Sequence, residues 1–155
     1  MWEGLYAPTY NSAPLQPVGA KSPSHNFKFP PPQAMSDLTL PSTLFDFAKL
    51  PATPTPVGEV RPCFDAATRT LARLETHLTT LNPGEISHAA HAHADEELIV
   101  VKEGTVEATI KGVPHVGGAG SVFFFASMDL HGLRNPGNVR ASYHVIRIFP
   151  RDLGA

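Results

Sequence analysis

Residues 91–104 read HAHADEELIVVKEG, from His91 to Gly104. In an extended strand successive side chains point to opposite faces, so His91 and His93 lie on one face and Ala92 on the other. Glu97 follows four positions after His93. A carboxylate arriving on the same side after a short bend supplies a third group of the kind that binds transition metals. An isolated pair of this kind is more often the solvated end of a polar strand. What the rest of the chain contributes decides between the two.

The chain has 155 residues, enough for one domain with a core and too few for two ordinary ones. The charged fraction of 17% and the formal charge of −2 leave no basic footprint, so nucleic-acid binding is not expected. The single cysteine, Cys63, has no partner for an internal disulfide and no acid–base neighbour in sequence. It reads as a buried structural thiol rather than a nucleophile. No run of 18 or more apolar residues is present, so no membrane helix is expected. The opening MWEGLYAPTY lacks the basic and apolar regions of a secretory signal, and a cytoplasmic protein is the expectation.

Eleven of the sixteen prolines precede residue 59. Proline removes backbone donors and fixes φ, so residues 1–58 are expected to form a largely irregular, extended arm. Pro30-Pro31-Pro32 favours a short polyproline II piece. Met35 opens a plausible alternative start, which makes residues 1–34 a tail or an over-extended gene start. Leu44 to Phe47 is the first stretch able to dock, across a barrel or a partner subunit. Residues 59–150 are expected to be the domain, with 151–155 a C-terminal tail.

Within that domain, strands alternate with glycine and proline punctuation. Leu71 to Leu81 stops at Asn82-Pro83-Gly84, Leu98 to Val101 at Glu103-Gly104, and Thr105 to Ile110 at Lys111-Gly112. Val113 to Val116 reads as a hairpin return. Val122 to Ala126 is apolar on both faces, and Ser142 to Phe149 is the last strand. No amphipathic helix stands out, so an all-β barrel or sandwich follows from pattern alone.

A second constellation joins the first. Gly120 to Asn135 reads GSVFFFASMDLHGLRN: a glycine turn, an apolar strand, a small-residue bend, then His131. Together the two stretches resemble the paired signature motifs of the cupin superfamily. Gly84 leads the first motif, and His91, His93, Glu97 and Gly104 follow at its spacing, the leading gap being one residue longer than the family pattern. Gly120, His131 and Asn135 fall at the offsets of the second, with Ala126 where the family has proline and Met128 where it has glycine. The bend before His131 is therefore built differently here.

The resemblance, covering about residues 60–150, implies a jelly-roll β-barrel (a double-stranded β-helix) behind a Pro-rich extended N-terminal segment. It implies one divalent transition metal, Fe, Mn, Ni or Zn, held by His91, His93, Glu97 and His131. Three neutral imidazoles and one carboxylate leave a divalent ion with a net charge of about +1 and two open positions on an octahedron. The function implied is a metal-dependent enzyme acting on a small oxygen-rich or anionic molecule. Dioxygenase, decarboxylase, isomerase and hydrolase chemistries all use such ligand sets in the family, a dioxygenase-like oxidoreductase among them. The alternative is a non-catalytic cupin that binds or senses a small molecule.

Further residues are candidates for the pocket lining. His88 lies three positions before His91, and Met128 sits in the bend before His131. Glu75 and His77 share a strand face that is interior or exterior depending on register. The sequence favours the exterior, as a cross-strand or subunit contact. Tyr143 and His144 lie on opposite faces of the last strand, so at most one faces the pocket. Arg147 has the parity of Tyr143 and could hold a substrate carboxylate or serve an interface. His115, after Pro114 in a hairpin, is expected to be exposed. Phe123, Phe124 and Phe125 need cover on both sides, which points to a homodimer.

Overall fold

The computed structural model describes residues 39–151. The expectations for residues 1–34, for polyproline at 30–32, for a start at Met35 and for the tail beyond Arg151 lie outside the described residues. Nine strands follow one another: β1 (Thr53–Thr55), β2 (Gly58–Ala66), β3 (Leu71–Leu81), β4 (Glu96–Glu103), β5 (Thr105–Ile110), β6 (Val113–Gly118), β7 (Val122–Phe125), β8 (His131–Arg134) and β9 (Ala141–Pro150). Among the described residues the only helical element is a 3-10 turn, Phe47–Lys49, capped by the Asp46 side chain accepting from the Ala48 N–H. The sheet begins earlier than expected. β1 falls inside the arm and pairs with the start of β2, because Pro56-Val57 lets Thr53–Thr55 fold back on Gly58–Val60.

The strands form two antiparallel sheets, a six-stranded one in the order β1-β2-β3-β9-β4-β7 and a three-stranded one in the order β6-β5-β8. This is the jelly-roll arrangement. Turn chemistry sets the register. Lys111 (φ 50°) and Gly112 (φ 83°) both take positive φ between β5 and β6, as a two-residue hairpin turn requires. Gly104, between β4 and β5, has φ +73°, and a Cβ there would lie 2.6 Å from the Arg140 carbonyl oxygen. Only glycine fits that crossing.

Alternation sorts each strand into an outer and an inner face. One inner row crosses the larger sheet as Asp65, Glu75, Arg147, Glu97 and Phe125, each paired in register with the next. The next row is Pro62, His77, Val145, Ile99 and Phe123, and the one after it Val60, Thr79, Tyr143 and Val101. Val106, Ala108 and Leu133 of the smaller sheet join Ile99, Val101, Phe125 and Tyr143 in one buried cluster. The barrel interior thus grades from charged at one end to apolar at the other.

This register corrects the expected placement of Glu75 and His77. They face inward, and Glu75 is only 3% exposed. The preference for the exterior had no access to the β3–β9 pairing, which aligns Glu75 with Arg147 on the inner face. His144 is corrected in the opposite sense. It lies on the outer face, because Tyr143 and Val145 on either side of it belong to the core.

On the outer face Phe45 packs on Phe64 with ring centroids 5.0 Å apart. Phe47 lies between the Arg61 guanidinium and the Lys102 ammonium, 5.0 and 4.4 Å from its ring. Arg61 begins the outer row Arg61, Leu78, His144 and Val100, and Lys102 lies two residues beyond Val100, so the arm packs on the sheet there. Leu78 in that row is buried, whereas Leu44 stays in solvent. Cys63 is a half-buried free thiol at a bulge in β2, and burial raises its pKa. Phe123 and Phe125 point inward, while Phe124 is 50% exposed on the outer side of β7.

Candidate metal centre

The loop from Gly84 to Asp95 carries two of the histidines, and backbone bonds tie it to β8. The His91 N–H donates to the His131 carbonyl at 2.9 Å, and the His131 N–H donates back to His91 at 2.9 Å. The Met128 N–H donates to the His93 carbonyl at 2.8 Å. The two motifs are therefore fastened to each other by main chain before any side chain is considered. Met128 takes φ +64° to make this contact, a conformation that suits the glycine usual at its position. Its side chain projects into solvent.

One ligand atom from each of His91, His93 and His131 lies within 4.8 Å of the other two. The ring centroids are 4.8 to 5.2 Å apart. Two of the rings have a defined orientation. His131 stacks on Phe125 at 4.1 Å with 12° between the planes, and its Nδ1 lies 2.8 Å from the Asp129 carbonyl. Nδ1 of His93 lies 3.0 Å from the Asp95 carbonyl. A carbonyl only accepts, so each Nδ1 carries a proton, and in the neutral ring Nε2 keeps its lone pair. Both Nε2 atoms are buried and without a hydrogen-bond partner.

Glu97 stands beside this group rather than within it. Its Oε2 is 3.3 Å from Nε2 of His93 and 3.9 Å from Nε of Arg147. A lone pair facing a buried carboxylate oxygen is unfavourable unless a cation or a proton lies between them. Burial drives the Glu97 carboxyl above its usual range, against the pull of His93 and Arg147. Burial lowers the pKa of His131, which the hydrogen bond to Asp129 opposes. His91 falls to about 4, through partial burial first and then through crowding by His88, His131 and His93. Neutral imidazoles with inward lone pairs, next to a buried carboxylate, are a donor set that fits a divalent transition metal.

The neighbouring polar groups are now placed. His88 lies at the entrance, its ring edge-on to that of His91 at 4.3 Å. His77 faces the interior with Nδ1 3.5 Å from Glu75 Oε1. The guanidinium of Arg147 is already engaged: Nε and Nη2 donate to the two Asp95 oxygens at 2.7 and 2.9 Å. It is not a free clamp for a substrate carboxylate. His115 is exposed on β6, as expected. Asn135 proves to be structural. Fully buried, it donates from Nδ2 to the carbonyls of Leu81, Asn82 and Val139 at 3.3, 3.1 and 2.7 Å, and accepts from the Gly137 N–H at 2.9 Å. Sequence reasoning missed Asp95 altogether, although a second acid inside HAHADEE was a visible signal.

The family description "Cupin domain" matches residues 77–147, which span His91, His93, Glu97 and His131. Residues 77–147 form a cupin domain. A cupin from Shewanella frigidimarina described as RmlC-like superposes with a TM-score of 0.58 at 20% identity, covering 72% of this chain and 95% of that one. A predicted oxalate decarboxylase from Thermotoga maritima gives 0.57 at 18% identity, covering 69% and 99%. The cupin domain of an XRE-family transcriptional regulator from Enterobacter cloacae gives 0.51 at 27% identity, covering 59% and 96%. Among curated proteins no sequence matches the chain. No helix among the described residues is long and apolar enough to cross a membrane.

Proposed function

We propose that this cupin is a metal-dependent enzyme whose divalent transition metal is held by His91, His93, Glu97 and His131, and that its substrate is a small oxygen-rich or anionic molecule. The observation that carries the reading is the pair of buried, unpartnered Nε2 atoms on His93 and His131, facing the space shared with His91. When bound, such a metal polarises substrate oxygen or activates dioxygen. The chain's own part is to orient donors. The Asp129 and Asp95 carbonyls keep the proton on Nδ1 of His131 and His93, and Phe125 holds the His131 ring flat against it. Phe125 belongs to the buried apolar cluster with Ile99 and Val145, so the site borders the core through its stack on His131.

Elemental analysis of purified protein beside a His131→Ala variant tests this. About one equivalent of metal in the parent and far less in the variant is the expected result. Less than about a tenth of an equivalent in the parent after metal-supplemented expression would overturn the site. A screen of small carboxylates and polyols for metal-dependent turnover then tests the enzyme reading.

A second reading, a binding or sensing cupin without turnover, draws support from the similarity to the cupin domain of a transcriptional regulator. Saturable binding that survives metal removal would favour it over the enzyme.

A further inference from the structure

Between the histidine pair and Glu97 lies Asp95, 5% exposed. Its carbonyl takes the Nδ1 proton of His93 at 3.0 Å, and its Oδ1 lies 3.1 Å from the same nitrogen. Its carboxylate is in turn gripped by both arms of Arg147, at 2.7 and 2.9 Å. The third nitrogen of Arg147, Nη1, is 3.5 Å from Glu75 Oε2, which also accepts from Arg73 Nη2 at 2.9 Å. Arg73 is anchored further out by Asp65, through Nη2 at 2.7 Å. Five charged side chains thus run in alternating sign from the rim of β2 to His93.

A planar guanidinium engaged on two edges has one orientation, and so has the carboxylate that it grips. Residues 94 and 95 form no regular pairing of their own before β4 begins at Glu96, so this grip helps to fix the residue whose carbonyl accepts from His93 Nδ1. We infer that Asp95 and Arg147 are positioning residues, which hold His93 as the Nδ1–H tautomer with Nε2 turned into the site. The inference deepens the proposed metal site and rests on it for its consequence. Outer groups of this kind commonly contribute about 10–100-fold in metal affinity. The same contacts occupy the Nε–Nη2 edge of Arg147 with Asp95, so that edge is not free for a substrate anion.

The test uses two variants, Asp95→Ala, which keeps the carbonyl but removes the grip, and Arg147→Lys, which keeps the charge but not the fork. Each is titrated with cobalt(II), followed by visible absorption and zinc competition, and the metal-free form is examined by 15N NMR of the imidazoles. The expected result is a cobalt dissociation constant raised by about 10–100-fold in Asp95→Ala and less in Arg147→Lys. A single Nδ1–H form of His93 in the parent should give way to a tautomer mixture in Asp95→Ala. Folded variants with parental cobalt affinity and parental His93 signals would overturn the inference and leave an ordinary buried ion pair. If the parent takes up no metal, the proposed metal site fails, and the His93 signals alone decide the positioning role.

Discussion

The main chains of His91 and His131 hydrogen-bond to each other in both directions, at 2.9 Å each. Two candidate ligands forty residues apart are thus brought together by backbone, and their side chains are not needed to close the barrel there. His131→Ala should therefore fold. It loses a buried ring stacked on Phe125, a change that costs about 1–3 kcal/mol in the metal-free state. What it should lose outright is stabilisation by metal. Thermal melts with and without a chelator are expected to differ in the parent and to coincide in the variant. Coincident melts in the parent would count against a bound metal.

Met128 occupies a left-handed conformation with its side chain in solvent, at the position where the family motif has glycine. Met128→Gly relieves that strain, and about 1 kcal/mol of added stability is expected in urea denaturation. A loss of stability would mean that the methionine side chain makes contacts outweighing its backbone strain.

Asn135 holds the turn after β8 against the end of β3 through four hydrogen bonds. Asn135→Leu leaves buried carbonyls without donors and should destabilise by about 2–4 kcal/mol. If the role is only structural, metal affinity of the remaining folded protein stays at the parental level. A fall in affinity without a fall in melting temperature would reassign the residue to the site.

His144 lies on the outer face, where burial and then the Lys102 charge lower its pKa below the ordinary value. In the unfolded chain the imidazole titrates near 6.5, so the unfolded state takes up the proton first as pH falls. Stability should accordingly decline with acidification below that point and level off once the folded group also protonates. His144→Leu removes this contribution. Urea midpoints at neutral and mildly acidic pH should differ less in the variant than in the parent. An equal difference would show that His144 plays no part.

Phe124 and Val122 are 50% and 58% exposed on the outer side of β7, next to Leu98 and Val100 of β4 in register. A contiguous apolar surface on an edge strand is a surface for association. A homodimer by light scattering is expected, and Phe124→Ser should shift it towards the monomer. A monomeric parent at micromolar concentration would rule this out.

The clustering of the three histidines was legible because the motifs that carry them are local. His91, His93 and Glu97 sit within seven residues, and His131 follows a glycine turn by a distance that one short strand and one bend require. The strands were legible for the same reason, from Thr105–Ile110 with its clean alternation to the turn at Lys111-Gly112. Facing was harder. Glu75 and His77 alternate as well inward as outward, and only the pairing of β3 with β9 separates the two. Arg147 was visible only as a cation on the face of Tyr143, open to a clamp or an interface role, and its partner Asp95 comes from a loop fifty-two residues earlier, which no periodicity encodes. Asn135 was read as a motif position, and its work became clear only from the four groups it joins.

The transverse row of charges has a consequence for the order in which ligands arrive. At the polar end of the barrel the guanidinium groups that face Asp65, Glu75, Asp95 and Glu97 are those of Arg73 and Arg147, beside the imidazoles of His77 and His93. Four carboxylates against two guanidinium groups leave an excess of negative charge, apart from any proton taken up by Glu97. By itself that end of the barrel repels anions and draws cations. An anionic small molecule would find that repulsion neutralised only after a divalent cation had entered, so the charge row favours a sequence, cation first and anion second.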